Sequence, residues 1–247
     1  MEVVRGGTET VKIHVGCGTC PLDGYLNVDP FYFDLPGVEK GDTANLPAGD
    51  GSAELVFSNA VFEHVFLGHL LPTLAEWDRV LAPGGFVCTI GIPDFERVAY
   101  HYLSRGQGIT GDRFDLFEAY RYCHGWAEGD SPGFVWRDWK VSEKPDSAPL
   151  SWVPQQHKAI FDAELLHGIL ALAQIDGVVF TYAYPNEPPL NLGFLAGTTD
   201  IGRLEEVPHI SKWVVPGTVT VKPPGDPSRM AAFAGWHADG QPVSKQG

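Results

Sequence analysis

A glycine-rich turn between two short apolar segments is the feature that most limits the fold of this chain. Residues 11–15 lead directly into Gly16 and Gly18, and a second segment, residues 25–28, ends on Asp29. Glycine lets a ligand approach the backbone closely at the end of a strand. A carboxylate at the tip of the next strand can accept hydrogen bonds from ribose hydroxyls. The pattern predicts a strand–turn–strand unit that binds a cofactor containing a nucleoside.

The spacing between the glycines and the acid distinguishes between nucleoside cofactors. In a dinucleotide-binding unit the acid follows about 20 residues later, across a helix whose N-terminus holds the pyrophosphate. Here Asp29 follows Gly18 after only 11 residues, and Thr19 and Cys20 stand where a third glycine would be expected. This spacing disfavours a phosphate-binding loop. It favours a cofactor with ribose and adenine but no phosphate, such as S-adenosyl-L-methionine.

The same turn contains Cys17 and Cys20 in a C-x-x-C arrangement, which has two further interpretations. A redox pair would open the helix of a thioredoxin-like unit. A structural zinc site would need a second ligand pair at similar spacing, and Cys88 and Cys123 are isolated. We therefore expect the two thiols to be small turn residues. No His, Asp and Glu cluster has ligand spacing either, so we expect no metal site.

Beyond the turn, segments in which apolar residues recur at helical spacing alternate with short apolar segments typical of strands. Leu70, Leu74 and Trp77 recur at helical intervals, and Pro83 with the following glycines ends that pattern. Strands that alternate with helices predict a mostly parallel sheet. The predicted strands are 53–58, 86–92, 178–184 and a last, hairpin-related strand within 214–221, and the predicted helices are 69–81 and 161–172.

Residues 95–156 interrupt this alternation and contain many aromatic residues together with Gly and Pro. A long insertion in a compact domain is usually a functional lid or a small subdomain, and a helical cap without a ligand role is the alternative. We expect residues 1–222 to form a single domain with this insertion as a substrate-binding lid. Residues 223–247 are rich in Pro, Gly and Ser and are expected to form a tail.

Charge and composition limit the partners and the compartment. The 247 residues carry a formal net charge of -14, which disfavours nucleic acid as a partner. The sequence has no run of about 18 apolar residues and no basic-then-apolar leader, so we expect no membrane span and no signal peptide. Four cysteines in a chain of this length do not form a disulfide framework, and a reducing cytoplasm is the expected compartment.

Five blocks make the sequence recognisable. They are GCGTCPLDGYLNVD at 16–29, GDTANLP at 41–47, SNAVFEHV at 58–65, EWDRVLAPGG at 76–85, and HKAIFD through IDG at 157–177. Through these blocks the chain resembles the class I S-adenosylmethionine-dependent methyltransferases, and among them the small bacterial, type 11-like group. The resemblance implies an α/β, Rossmann-like doubly wound fold with a seven-stranded, mostly parallel sheet and helices on both faces.

The resemblance also implies how the methionine and ribose parts of S-adenosyl-L-methionine are bound. Gly16 and Gly18 would let the backbone approach the methionine part, and Asp29 would bind the ribose hydroxyls. Asn59, just after the fourth strand, would place its backbone carbonyl near the cofactor amine. The further residues implied for this part of the pocket are Val15, Cys17, Ala60 and His64.

Three residues of the second block are implied to bind the adenine. Asp42 would accept a hydrogen bond from the amino group, Thr43 would offer its backbone N–H to the ring, and Leu46 would pack on the adenine face. A lone Asp is more often a solvated turn carboxylate. Because Asp29 and Asp42 both stand at their expected offsets from Gly16, we expect both to bind the cofactor.

The expected reaction is O-methylation of a hydroxyl on a sugar, a glycan or a secondary metabolite. A positioned base that removes the hydroxyl proton contributes on the order of 10²–10⁴-fold. His157 is the first candidate because it stands where the insertion returns to the core, and a structural histidine is the alternative. The other candidates are His64, which can instead cap a helix or line the cofactor pocket, followed by His124, His101, Asp94 and Asp138.

Other functions stay open at this point. Amino methylation of a nucleic-acid base usually needs an Asn/Asp-Pro-Pro-aromatic turn after the fourth strand, where this chain has Ser58 to Val61. N-methylation of a small molecule and a non-catalytic cofactor-binding module are further alternatives. The expected partner is a small-molecule or glycan acceptor. A monomer and a homodimer are both compatible with the sequence.

Overall fold

One eight-stranded sheet organises the computed structural model, which describes residues 10–108, 113–124 and 157–225. The strands are β1 (Val11–Val15), β2 (Tyr25–Asp29), β3 (Val38–Lys40), β4 (Ala53–Asn59), β5 (Leu81–Pro93), β6 (Gly177–Tyr182), β7 (Asn191–Ala196) and β8 (Thr220–Lys222). Their order across the sheet is β3-β2-β1-β4-β5-β7-β6-β8. The pairs among β1 to β5 are parallel, and the pairs that involve β6, β7 and β8 are antiparallel. The predicted Rossmann-like, mostly parallel sheet is confirmed.

The C-terminal strands differ from the prediction. β6 corresponds to the strand predicted at 178–184, but its hairpin partner is β7, which lies between β5 and β6. The segment predicted within 214–221 instead gives β8, an eighth strand at the edge of the sheet. All six residues of β7 are buried. Because β7 is buried on both faces, its sequence lacks the polar alternation that marks a half-exposed strand.

Different kinds of helix cover the two faces of the sheet. The α-helices are α1 (Leu70–Val80), α2 (Phe95–Leu103), α3 (Leu116–His124) and α4 (Ala163–Leu172). The buried sides of α1 and α4 belong to one core cluster with Ile13 and Val15 of β1. On the other face, the described residues provide short 3-10 helices at 201–206 and 210–212, and Trp213 packs on Phe57 with ring centroids 5.3 Å apart.

The predicted insertion and tail are described only in part. α2 and α3 belong to residues 95–156, whereas 109–112 and 125–156 lie outside the described residues, as do 226–247 of the predicted tail. None of the described helices combines the length and the apolar composition that crossing a bilayer requires.

Asn27 closes the connection between β1 and β2, which is a turn rather than a helix. Its Oδ1 accepts a hydrogen bond from the backbone N–H of Leu22 at 2.7 Å, and its Nδ2 donates to the carbonyls of Leu22 and Tyr25 at 3.0 and 3.2 Å. His14 Nδ1 lies 3.2 Å from the same Oδ1. Because Asn27 and His14 are both buried, these bonds satisfy polar groups that water cannot reach.

The burial of His14 makes the stability of the domain dependent on pH. Burial lowers the pKa of His14 from 6.5 to about 4, against the opposing effect of its hydrogen bond with Asn27. The folded state binds this proton less tightly than the unfolded chain, so the contribution is complete above pH 6.5 and is lost as the pH falls towards 4. We expect a loss of about 3 kcal/mol of unfolding free energy at pH 4 from this residue.

Urea unfolding at pH 7.5, 5.5 and 4 measures this effect in the wild type and in His14→Gln. The variant should start less stable and lose less stability between pH 6.5 and 4. His209→Gln, which replaces an exposed histidine far from Asn27 in the chain, is the control variant. Equal pH dependence in the wild type and His14→Gln would contradict the assignment.

Candidate active site

A cavity of about 790 Å³ lies at the carboxyl ends of the parallel strands. This is where such sheets bind ligands, and the volume is within the range of small-molecule sites. Its wall combines the turn after β1, the loops after β2 and β3, and the segment that follows β4. The lining residues are Val15, Gly16, Gly18, Val28, Asp29, Pro30, Phe31, Tyr32, Gly41, Asp42, Thr43, Ala44, Ala60, Val61, His64, Val65, Phe66, His69, Thr73 and Lys158.

Most of the residues predicted to bind the cofactor lie on this wall, but the described wall does not include Cys17, Leu46 or Asn59. Leu46 is buried in the main core, and its backbone N–H donates to Glu76 Oε1 at 2.7 Å. The side chain of Asn59 accepts a hydrogen bond from the Tyr184 hydroxyl. The predicted residues that do line the cavity are Val15, Gly16, Gly18, Asp29, Asp42, Thr43, Ala60 and His64.

The two motif glycines have different reasons to be glycine. Both have positive φ angles, +64° for Gly16 and +52° for Gly18. A Cβ at Gly16 would lie 2.5 Å from Cγ2 of Val61, whereas a Cβ at Gly18 would have no atom within 4 Å. Gly16 therefore permits close packing against the segment after β4, and Gly18 leaves open space at the cavity.

Asp29 connects the glycine turn to the segment that leaves β2. Its Oδ2 accepts from the N–H of Gly18 at 2.9 Å, and its Oδ1 accepts from the N–H groups of Phe31 and Tyr32 at 2.8 and 2.9 Å. A carboxylate offers about four acceptor sites. The backbone occupies both sites of Oδ1 and one of Oδ2, so the second site of Oδ2 is the one left for a ligand.

The segment expected to contact adenine is fixed from beneath by α1. Asp42 and Asn45 form an isolated backbone bridge, and the Thr43 hydroxyl donates to Asp42 Oδ1 at 3.0 Å. The indole Nε1 of Trp77, which is fully buried, donates to the Thr43 carbonyl at 2.9 Å. Sequence reasoning assigned Trp77 only to a helix face and missed this bond, because the two residues are distant in the chain.

A histidine pair stands where the segment after β4 meets the chain that precedes α4. The rings of His64 and His157 are 4.9 Å apart between centroids and nearly perpendicular. The backbone N–H of Lys158 donates to the Glu63 carbonyl at 2.7 Å, which joins the two segments. His64 lines the cavity, whereas the described cavity wall does not include His157.

The other predicted bases lie elsewhere or outside the described side chains. His124 is the last residue of α3, but its side chain lies outside the described part of the structure. Asp138 also lies outside the described residues. His101 Nε2 lies 2.9 Å from the Gln107 carbonyl oxygen. Asp94 is fully buried and accepts from the N–H of Arg97 at the start of α2, and burial raises the pKa of its carboxyl. These contacts give His101 and Asp94 structural roles.

Glu63 is a site residue that sequence reasoning missed. Its side chain is buried, and burial raises the pKa of the carboxyl to about 8. Glu63 Oε1 lies 3.8 Å from Nε2 of His64. The Glu-His pair was visible in the sequence, but only the fold adds His157, and the three side chains have ligand atoms within 4.8 Å of one another.

The C-x-x-C cysteines do not have the properties of a redox pair. Cys17 and Cys20 are free thiols, and Cys17 is buried in the turn. Burial raises the pKa of the Cys17 thiol to about 11. A reactive cysteine needs the opposite shift, because the thiolate is the nucleophile.

A comparison with protein families matches the part of the chain that forms much of this cavity. Residues 26–89, from β2 into β5, match a family model described as a methyltransferase domain. Over these residues the chain is similar to that family of methyltransferase domains. No curated protein matches this sequence.

Several solved structures are similar to this chain at low sequence identity. A Thermotoga maritima S-adenosylmethionine-dependent methyltransferase, described as a possible histamine N-methyltransferase, is 16% identical and has a TM-score of 0.45; the match covers 76% of this chain and 82% of that one. A Mesorhizobium loti methyltransferase is 15% identical with a TM-score of 0.44, over 75% and 90% of the two chains. A Burkholderia thailandensis 1,6-didemethyltoxoflavin-N1-methyltransferase, solved with that compound and S-adenosylhomocysteine, is 15% identical with a TM-score of 0.43, over 78% and 73%.

Gly16 and Gly18 form a matched pair for mutation. Gly16→Ala combines a positive φ with overlap on Val61, so we expect it to lower the free energy of unfolding by about 3 kcal/mol. Gly18→Ala adds its methyl group to open space and should cost about 1 kcal/mol through its φ alone. Urea unfolding of both variants measures the difference.

Val61→Ala tests the cause of that difference. In the Gly16→Ala background it removes the overlapping methyl groups, so the double variant should be more stable than the sum of the single changes predicts. Equal losses at the two glycines, or strict additivity with Val61→Ala, would contradict the close-packing explanation.

Proposed function

We propose that this chain is a class I S-adenosylmethionine-dependent methyltransferase and that it transfers a methyl group from S-adenosyl-L-methionine to a hydroxyl of a small molecule or glycan. The observation that carries the proposal is a cavity whose wall includes the glycine turn and Asp29 as well as His64. A cofactor held by the first two would share the cavity with an acceptor beside the histidine. Holding the nucleophile in line with the methyl group supplies much of the catalysis in such a displacement.

The cofactor assignments follow from the polar atoms around the cavity. The remaining acceptor site of Asp29 suits a ribose hydroxyl, and the open space beside Gly18 suits the methionine part. Asp42 offers a carboxylate to the adenine amino group, and Thr43 offers its backbone N–H to the ring. We assign Leu46 to the core beneath the cavity wall, where it supports this segment and does not contact the adenine.

The mouth of the cavity favours an acceptor with a flat, weakly polar surface. Phe31 and Phe66 line the cavity and are 60% and 58% exposed, which is unusual for side chains of this size. Aromatic faces of this kind stack on rings, including the apolar faces of sugars. Lys158 is the one Lys or Arg on the described wall. With the net charge of -14, this disfavours a polyanionic acceptor such as nucleic acid.

His64 is the residue that we assign as the base, with His157 as the residue that positions it. His64 lies on the cavity wall, so its ring has access to an acceptor hydroxyl, and the ring of His157 packs against it. This reverses the order expected from the sequence, in which His157 was first. The reason is that a general base must lie within hydrogen-bond distance of the proton that it removes, whatever its pKa. The described wall of the cavity includes only His64 of the pair.

Asp29→Asn tests the cofactor site. The amide has one acceptor oxygen instead of two and adds a donor facing the Gly18 N–H, so we expect S-adenosylhomocysteine to bind at least about tenfold more weakly. Isothermal titration with S-adenosylhomocysteine gives the dissociation constant. Asp23→Asn, at an exposed position of the same turn, is the matched control and should bind as the wild type does. Wild-type affinity in Asp29→Asn would refute the assignment.

His64→Gln tests the reaction. Formation of S-adenosylhomocysteine is measured with a panel of acceptors that carry either hydroxyl or amine groups on sugar, phenol and aliphatic frames. We expect turnover with hydroxyl acceptors, a fall of about 100-fold or more in His64→Gln and a smaller fall in His157→Gln. S-adenosylhomocysteine affinity should stay within about twofold in both, which separates a base from a structural residue. Turnover with amines alone would overturn the O-methyltransferase proposal.

A further inference from the structure

We propose that Glu63, His64 and His157 form a binding site for a divalent transition-metal ion of the zinc class. One ligand atom from each residue lies within 4.8 Å of the other two. Two imidazole nitrogens and one carboxylate are a donor set that binds zinc and its first-row neighbours while keeping a coordination position open. The sequence could not predict this set, because His157 is far from the Glu-His pair in the chain.

The distances are close to those that coordination requires. In tetrahedral zinc sites with bonds near 2.1 Å, neighbouring ligand atoms are about 3.4 Å apart. Glu63 Oε1 and His64 Nε2 are 3.8 Å apart, and the whole set is within 4.8 Å. Closing the separations from 4.8 Å to about 3.4 Å needs each ligand atom to move by about 1 Å or less, a displacement that small side-chain rotations produce.

Backbone hydrogen bonds hold the segments that carry the three residues close together. The N–H groups of Lys158 and Ala159 both donate to the Glu63 carbonyl, at 2.7 and 3.4 Å, so the segment with His157 is fastened to the segment with His64. Phe62, which precedes Glu63, is fully buried and packs on Phe194 and Phe161 with ring centroids 5.1 and 5.6 Å apart. Phe62 begins a short 3-10 helix, Phe62–His64, and this packing makes that helix a rigid support, as a metal site needs.

The second carboxylate oxygen of Glu63 is an independent indication of a ligand. Glu63 is 1% exposed, and its Oε2 has no hydrogen-bond partner among the described residues. Leaving a buried acceptor of this kind unsatisfied costs free energy, and native proteins rarely do so without a water, an ion or a catalytic reason. A cation bound by Glu63 and the two histidines would balance the negative charge that Oε2 shares with Oε1 in the carboxylate.

The location of the site assigns the ion to activation of the acceptor, a role that rests on the proposed function. Because His64 lines the cavity, an open coordination position beside it would be accessible to an acceptor hydroxyl. A bound metal ion lowers the pKa of a coordinated hydroxyl, so the hydroxyl would release its proton to solvent near neutral pH. The coordinated oxygen would then form its bond to the methyl carbon as the carbon–sulfur bond of the cofactor breaks and S-adenosylhomocysteine leaves. With the ion bound, His64 would be a ligand, and the ion would activate the acceptor in its place.

Metal binding by the full chain tests this proposal without cofactor or acceptor. After treatment with a chelator, Co²⁺ is titrated while the visible absorption of four-coordinate cobalt is followed, and Zn²⁺ is titrated by calorimetry. We expect one equivalent to bind, and Glu63→Gln and His157→Gln each to weaken binding at least about tenfold. His69→Gln is the matched control, because His69 lines the same cavity but is not in the cluster, and it should leave the affinity unchanged.

Three results would overturn the site: no saturable binding of either ion, wild-type affinity in both cluster variants, or an equal loss in His69→Gln. Thermal unfolding of each variant identifies any that fails to fold, and the isosteric Glu63→Gln together with His157→Gln gives two independent changes. S-adenosylhomocysteine titration of the same samples separates the two proposals. Loss of cofactor binding in the wild type would contradict the proposed function alone, and loss of cobalt binding would contradict the metal site alone.

Discussion

The carboxylate of Asp29 is the interaction on which the arrangement of the cavity depends. It accepts backbone N–H groups from both sides of β2, from Gly18 in the turn before it and from Phe31 and Tyr32 after it. Asn27, two residues earlier on the same side of the strand, closes the other end of the turn through Leu22. Two side chains of one short strand thus fix the loop that a helix would otherwise stabilise.

The absence of a helix between β1 and β2, where all residues are described, has a consequence for the second face of the sheet. Strands in the middle of a parallel sheet need cover on both faces. Here the cover comes from Leu22 of the turn and from the segment after β7, where Leu204 and Val214 are buried in the same cluster and Trp213 packs on Phe57. The C-terminal part of the chain therefore completes a core that the N-terminal turn leaves open.

The sequence predicted those features that depend on neighbours in the chain. The glycine turn, its short distance to Asp29, the helix that contains Trp77 and the strand before Pro93 all follow from local spacing and periodicity. Features that join distant segments were missed. The Trp77–Thr43 bond, the meeting of Glu63 with His157 and the insertion of β7 between β5 and β6 carry no local signal, because each depends on how the sheet closes.

The missed hairpin of β6 and β7 also explains how the segment with His64 is held. Ala60 has a φ of +55°, which is costly for a residue with a Cβ and persists only where neighbours enforce it. Beside it, Gly91 lacks the Cβ that would lie 2.3 Å from the Ala60 nitrogen, and its N–H donates to the Tyr182 hydroxyl at 2.7 Å. The Tyr184 hydroxyl donates to Asn59. The end of β6 thus fixes the segment after β4 from behind, so the antiparallel half of the sheet positions the histidine that the parallel half presents to the cavity.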